Sequence, residues 1–361
     1  MKTTLNILLI LGSPLLFINC SGKNSYRLPP SVQTSHPKSS RHQPVVIGAP
    51  ISTSTVEPKR PKKSRTSTPE VKKVPTQTPH SQPRVVSKAG ESHFFKKFRL
   101  PRKIRESSGL LKVDSRLWTF NDSGGKPILY QIDERTGAIL KEVKITNASN
   151  RDWEDIAFDD TYVYIGDIGN NRGNRKDLRV YKIPRASLKT EKSIRAEVIK
   201  FSFSDQKDFR SKPQQTNYDC EAMVAYHGKL YLFSKNWQDQ KTRLYELTTK
   251  AGSHKAKYIS TFNTRGMVTG ATVNRELDML LLSTYSSLLN VKIWAFTNYS
   301  GENFFNGASK ALRFKSPMQG QVEGITFIDN YKAYLSSEAF KKYIFSLDSA
   351  LYTLDFSGEF E

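Results

Sequence analysis

The 361-residue chain carries 56 Lys and Arg against 34 Asp and Glu, a formal net charge of +22, with only two cysteines. Two cysteines exclude a disulfide-stapled scaffold. Six histidines, of which His36, His42, His80 and His93 sit in or beside a polar tail, argue against His-ligated zinc and against Ser-His-Asp catalysis.

Residues 1–19 read as an export signal. Lys2 precedes the apolar run "LNILLILGSPLLFI", which is too short and too early for a spanning helix. Cys20 follows at once, and "LLFINC" resembles a bacterial lipobox, with Asn19 where Gly, Ala or Ser is usual. The expectation is a lipidated Cys20 that holds the chain on a membrane, at roughly 0.8 kcal/mol per buried CH₂. The alternative is a cleaved signal peptide with an incidental cysteine. The expected location is a bacterial cell envelope, periplasmic or surface-exposed.

Residues 20–92 are dense in Pro, Ser, Thr and Lys. Between Ser21 and Glu91 there are 13 Lys and Arg against 3 acids, so this stretch contributes about +10 of the total. It has too little apolar surface to offset the entropy of ordering it. An extended Pro-rich tether of this length spans up to ~200 Å, at ~3.1 Å per residue. Its basic residues lack interleaved aromatics, so nucleic acid is not an expected partner. Contact with anionic lipid or an envelope polymer stays open.

Residues 93–361 are short strands in a repeat. Five segments align: "SSGLLKVDSRLWTFNDSGG", "WEDIAFDDTYVYIGDIGNN", "CEAMVAYHGKLYLFSKNW", "VTGATVNRELDMLLLSTYSS" and "VEGITFIDNYKAYLSSEAF". With Ser108, Glu154, Glu221, Thr269 and Glu323 equivalent, the intervals are 46, 67, 48 and 54 residues. A third strand follows each pair: "PILYQID", "LRVYKI", "TRLYELT", "VKIWAFT", "ALYTLDF". A fourth follows in four repeats: "LKEVKIT", "EVIKFSF", "KYISTF", "ALRFKS". Four antiparallel strands per ~50 residues make the blade of an all-β, five-bladed β-propeller, with six blades as the alternative. The last repeat lacks its fourth strand. Residues 94–101 are expected to supply it and close the ring.

In such a blade the start of the innermost strand and the end of the second lie on one face, at the mouth of the axial channel. This predicts a convergence of Glu154, Glu221 and Glu323 with Asp122, Asp167 and Glu338 as ligands of a divalent cation. Asp155, Asp219, Lys235 and Tyr285 would contact a bound ligand. Each acid taken singly could instead serve its own turn. As a group, like charges within ~4–6 Å raise one another's pKa unless a cation compensates. Oxygen donors without His or Cys point to Ca²⁺ over zinc or copper. Trp153 and Trp237 lie near the same face and could stack on a sugar, although Trp in a propeller is more often core.

The blocks "DWEDIA…IGDIGNN…DLRVYKI", "YDCEAM…LYLFSK", "VTGA" and "QVEGITF…YLSSE" resemble a family of secreted or lipid-anchored bacterial propeller proteins of mostly unassigned function. More distantly the chain resembles phytase-like and gluconolactonase-like propellers. That resemblance implies a divalent metal held by Glu154, Glu221 and Glu323, while Ser108 and Thr269 depart from the pattern. Two functions follow as expectations. One is a monomeric, membrane-tethered binding module whose acidic face takes an unidentified ligand. The other is a metal-dependent hydrolase of a phosphoester or lactone, with Glu154 or Asp155 as base and Lys235 on an anionic group.

Overall fold

The computed structural model describes residues 91–360, apart from 315–317, 319 and 343–344. The signal segment 1–19, Cys20 and nearly all of the tether lie outside the described residues.

The chain enters through β1 (His93–Arg99). Blade one is β2 (Ser107–Val113), β3 (Arg116–Asn121), β4 (Ile128–Ile132) and β5 (Ile139–Ile145). Blade two is β6 (Trp153–Phe158), β7 (Tyr162–Asp167), β8 (Leu178–Pro184) and, after a short helix α1 (Ser187–Thr190) and β9 (Ser193–Ile194), β10 (Glu197–Phe203). Blade three is β11 (Asp219–Tyr226), β12 (Lys229–Lys235), β13 (Thr242–Thr248) and β14 (Gly252–Phe262). Blade four is β15 (Met267–Asn274), β16 (Met279–Tyr285), β17 (Val291–Thr297) and β18 (Ala308–Ala311). Blade five is β19 (Val322–Phe327) and β20 (Lys332–Ser337), then a hairpin of β21 (Phe340–Lys342) and β22 (Phe345–Leu347), then β23 (Ala350–Asp355).

Each blade is an antiparallel meander, and the inner strands β2, β6, β11, β15 and β19 contact one another in a closed ring. β1 pairs antiparallel with β23, from His93 opposite Asp355 to Arg99 opposite Ala350, so the N-terminal strand completes the C-terminal blade. That pairing covers an edge that would otherwise expose free N–H and C=O groups. Two contacts between outer strands were not legible in the sequence. β5 pairs parallel with β9, and β10 pairs parallel with β14, tying blade one to two and two to three. The fourth strand of blade four is shorter and earlier than "ALRFKS" suggested.

The strands are apolar on both faces because both faces are covered. Val163 and Ile165 pack toward blade one, against Trp118 and Phe120. Tyr164, between them, packs toward blade three with Met223 and Leu232. Five such clusters fill the five interfaces between neighbouring blades, the last joining Leu110, Leu117 and Tyr130 to Tyr334 and Leu351. Period-two alternation therefore selects the neighbour, not solvent against core.

Near its start every inner strand carries a β-bulge. The pairing skips Glu154 between Trp153 and Asp155, Glu221 between Cys220 and Ala222, Thr269 between Val268 and Gly270, and Glu323 between Val322 and Gly324. In blade one it skips Ser108 and Gly109. A bulge bends the strand and re-aims the extra side chain. The next residue is Gly in three blades, and in blades four and five this is because neighbouring inner strands nearly touch there. A Cβ on Gly270 would lie 2.6 Å from the Glu323 carbonyl oxygen, and one on Gly324 would lie 2.6 Å from that of Ser108.

Candidate functional site: an acidic channel mouth

The five bulge residues share a position but not a role. Ser108 Oγ donates to the Glu154 carbonyl at 2.8 Å, and Thr269 Oγ1 donates to the Val322 carbonyl at 2.5 Å. These two hydroxyls fasten their blade to the next one. Glu154, Glu221 and Glu323 are buried, with carboxyls close enough to repel one another. Burial holds all three above the ordinary glutamate range, reinforced by neighbouring carboxylates and opposed at Glu221 and Glu323 by the Lys235 ammonium.

Around Glu154 the geometry tightens. Asp122, Asp152 and Glu154 each bring a carboxylate oxygen within 4.8 Å of the others. Asp122 lies in the loop after β3, a turn whose carbonyls at Asn121 and Asp122 both accept from Asn150 Nδ2. Asp152 lies two residues before the bulge, and its carbonyl accepts from the Ile168 and Gly169 N–H groups. Gly169 is required for this approach, since a Cβ there would sit 2.1 Å from Glu154 Oε1 and 2.4 Å from Asp152 Oδ2. Burial pushes Asp122 up to about 6 and Asp152, helped by Asp122, up to about 8. Asp122 Oδ1 and Glu323 Oε2 have no hydrogen-bond partner among the described residues.

Across the mouth, Lys235 Nζ lies 2.7 and 2.6 Å from the two oxygens of Glu221. Its ammonium stands 4.9 Å from the Trp237 ring centre and 5.3 Å from that of Tyr285. Burial lowers the lysine's pKa, but Glu221 and Glu323 outweigh it and hold the group charged. Glu338, half-buried, is pushed well up by burial and by Asp122.

Three expected site residues are committed to framework partners instead. Asp167 pairs with Trp153, one residue before the skipped Glu154, so it matches Ser234, Thr284 and Ser337 in the other blades. The true counterpart of Lys235, Tyr285 and Glu338 is Ile168. One residue of register turns a side chain to the opposite face, and Asp167 is buried against Arg175 at 2.8 Å. Asp219 accepts from the Asn170 N–H at 2.5 Å, the Cys220 N–H at 3.1 Å and Trp237 Nε1 at 2.7 Å. Asp155 accepts from the N–H groups of Ile156 and Met223 at 2.8 Å each and of Ala271 at 3.2 Å. It ties blades two, three and four beneath the mouth and offers no free oxygen to a ligand. Trp153 is core, edge-on to Phe120, while Trp237 is half-exposed on the face.

Asp152 is not among the ligands the sequence suggested. Its signal is the spacing Asp-x-Glu ahead of a strand, combined with the glycine of "GDIGNN" that makes room for both carboxyls.

No family model and no curated protein matches this chain. Among solved structures it is similar to an exo-β-1,3-galactanase from Phanerochaete chrysosporium with bound β-1,3-galactotriose, at 9% identity and a TM-score of 0.43 over 72% of this chain. The chain spans 64% of that protein's length. A glucose dehydrogenase gives 7% identity and a TM-score of 0.39 over 72% of this chain and 98% of the other. The likeness anticipated from the sequence blocks stands at the level of a propeller-like all-β fold.

Proposed function

We propose that this chain is a divalent-cation-dependent binding protein, carried on a membrane by a lipidated Cys20 and a basic tether, with its ligand taken at the channel mouth. The observation that supports this reading is the group Asp122, Asp152 and Glu154, with the orphaned oxygens of Asp122 and Glu323 beside it. Oxygen donors of this kind suit Ca²⁺, which takes six to eight oxygens in flexible geometry. The nearest thiol, Cys220, is buried and turned toward the Ala222 and Phe233 carbonyls, which leaves a hard-donor set. Glu338 and Glu323 would complete the negative lining. Three carboxylates leave part of such a shell open for oxygens of a hydroxyl- or carboxylate-bearing ligand, with Trp237 as a ring at the rim.

Calorimetric titration of the full chain with CaCl2 is expected to show one site, lost in Glu154→Gln. Absence of binding by Ca²⁺, Mg²⁺ and Mn²⁺ alike would refute the reading. A metal-dependent hydrolase is the second reading. It is favoured by the neighbouring carboxyls of Asp122 and Asp152, within 4.8 Å of each other and both raised by burial, since a raised carboxyl is what acid-base work needs. Cation-dependent release from phosphoester or lactone substrates, abolished in Glu154→Gln, would establish it.

A further inference from the structure

The mouth collects more carboxyls than the group around Glu154 can use, and the surplus lies across the channel. Glu221 and Glu323 are buried, at 3% and 5% exposure, and Glu323 Oε2 has no hydrogen-bond partner among the described residues. Beside Glu221 stands Lys235, itself 4% exposed, with its ammonium bidentate on the Glu221 carboxylate. The corresponding side chains in blades one and five are Asp122 and Glu338, so blade three places a cation where those blades place acids.

We propose that the mouth is built for two cations and that the Lys235 ammonium permanently fills the second position, so that a neutral side chain at 235 opens a second divalent-cation site on Glu221 and Glu323. An ammonium does the work of a resident ion there. It is a compact charge with three donors, it neutralises Glu221, and the π faces of Trp237 and Tyr285 support it. Remove it, and Glu221 loses the cation paired with it while Glu323 and Glu338 still repel one another close by, an oxygen-only set of the kind that recruits Ca²⁺. The Tyr285 hydroxyl offers a further oxygen on the same side. Lys235 thereby confines exchangeable metal in the native protein to the Asp122, Asp152 and Glu154 side. The inference deepens the cation reading of the mouth, yet the two fail separately.

The test counts ions on the full chain by equilibrium dialysis with CaCl2 and by calorimetry. Wild type is expected to bind one Ca²⁺, Lys235→Met two, and Lys235→Met with Glu221→Gln one again. A folded Lys235→Met that binds no more Ca²⁺ than wild type overturns the proposal. Zero ions on wild type and one on Lys235→Met would sink the reading of the Asp122 group while upholding this one. Should Lys235→Met unfold in chelator, recovery of the fold on adding CaCl2 supports the proposal. Failure of both Lys235→Met and Lys235→Gln to fold in millimolar CaCl2 overturns it.

Discussion

The two ends of the axial channel are made by the same five strands and could hardly differ more. At the mouth, bulges turn three glutamates inward and loops add Asp122, Asp152 and Glu338. Two residues further along each inner strand, Leu110, Ile156, Met223, Ala271 and Ile325 line one small pocket. Arg275, in the turn after β15, lines the same pocket, donates to the Phe158 carbonyl at 2.6 Å and the Ala225 carbonyl at 3.3 Å, and pairs with Asp160 at 3.1 Å. The far end satisfies its polar groups internally, as buried polar groups ordinarily are. The mouth leaves carboxylate oxygens orphaned and carboxyls crowded. This contrast between the two ends is what motivates the binding site proposed at the mouth.

The comparison presumes a frame that stands independently of the mouth, and the ring closure tests that most severely. Deleting residues 1–90 should leave the melting temperature unchanged. Deleting 1–103 removes β1 and the buried Leu100 and exposes the edge of β23. The expected result is failure to fold, or a melting temperature lower by more than ~10 °C, since ~1 kcal/mol corresponds to about 2–4 °C in a domain of this size. Equal melting of both truncations, followed by circular dichroism, would refute the closure.

Much of this frame was legible in the sequence, and the reasons are local. The repeat places Glu154, Glu221 and Glu323 at equivalent positions because each opens an apolar run of fixed length before a turn. The closing strand was legible as a fourth strand missing at one end and surplus at the other. Register was not. Asp167 and Ile168 are adjacent, and only the bulge at Glu154 decides which one faces the channel. Nor does spacing separate Asp152 from Asp219, each two residues before a bulge glutamate. Trp237 and the Asn170 N–H claim Asp219 from a loop and a neighbouring blade, while nothing comparable claims the Asp152 carboxylate among the described residues.

A pair of substitutions on adjacent residues sharpens the contrast. Asp155→Ala strips an acceptor from three buried N–H groups, and each buried group left unsatisfied costs about 1–3 kcal/mol. It should lower the melting temperature strongly, with or without Ca²⁺. Glu154→Gln removes repulsion from Asp122, Asp152 and Glu221. In chelator it should melt at or above wild type, and in millimolar CaCl2 below it. A bound cation stabilises by RT ln(1 + [L]/Kd), about 2.7 kcal/mol at a hundredfold excess. If both variants shift alike in both buffers, the acids of the mouth are framework, and the distinction drawn between the two ends collapses.

The last expected effect is a slope with pH, and its sign discriminates. An unfolded aspartate titrates near 3.9, while Asp122 and Asp152 are held up to about 6 and about 8 in the fold. Between those values the folded chain carries more protons than the unfolded one. Stability must then fall as pH rises through this window, because its slope follows protons bound in the unfolded state minus those in the native state. In chelator the protein should melt several degrees lower near pH 8.5 than near pH 5. Salt-bridged carboxylates, whose folded pKa is depressed, give the opposite trend. Calcium requires the ionised acids and displaces their protons, so its affinity should strengthen over the same interval and flatten the slope. Glu154→Gln should reduce the slope in chelator, since Glu154 is among the carboxyls whose ionisation the crowding opposes. A melting temperature that rises with pH in chelator would mean that the mouth already compensates its own charge.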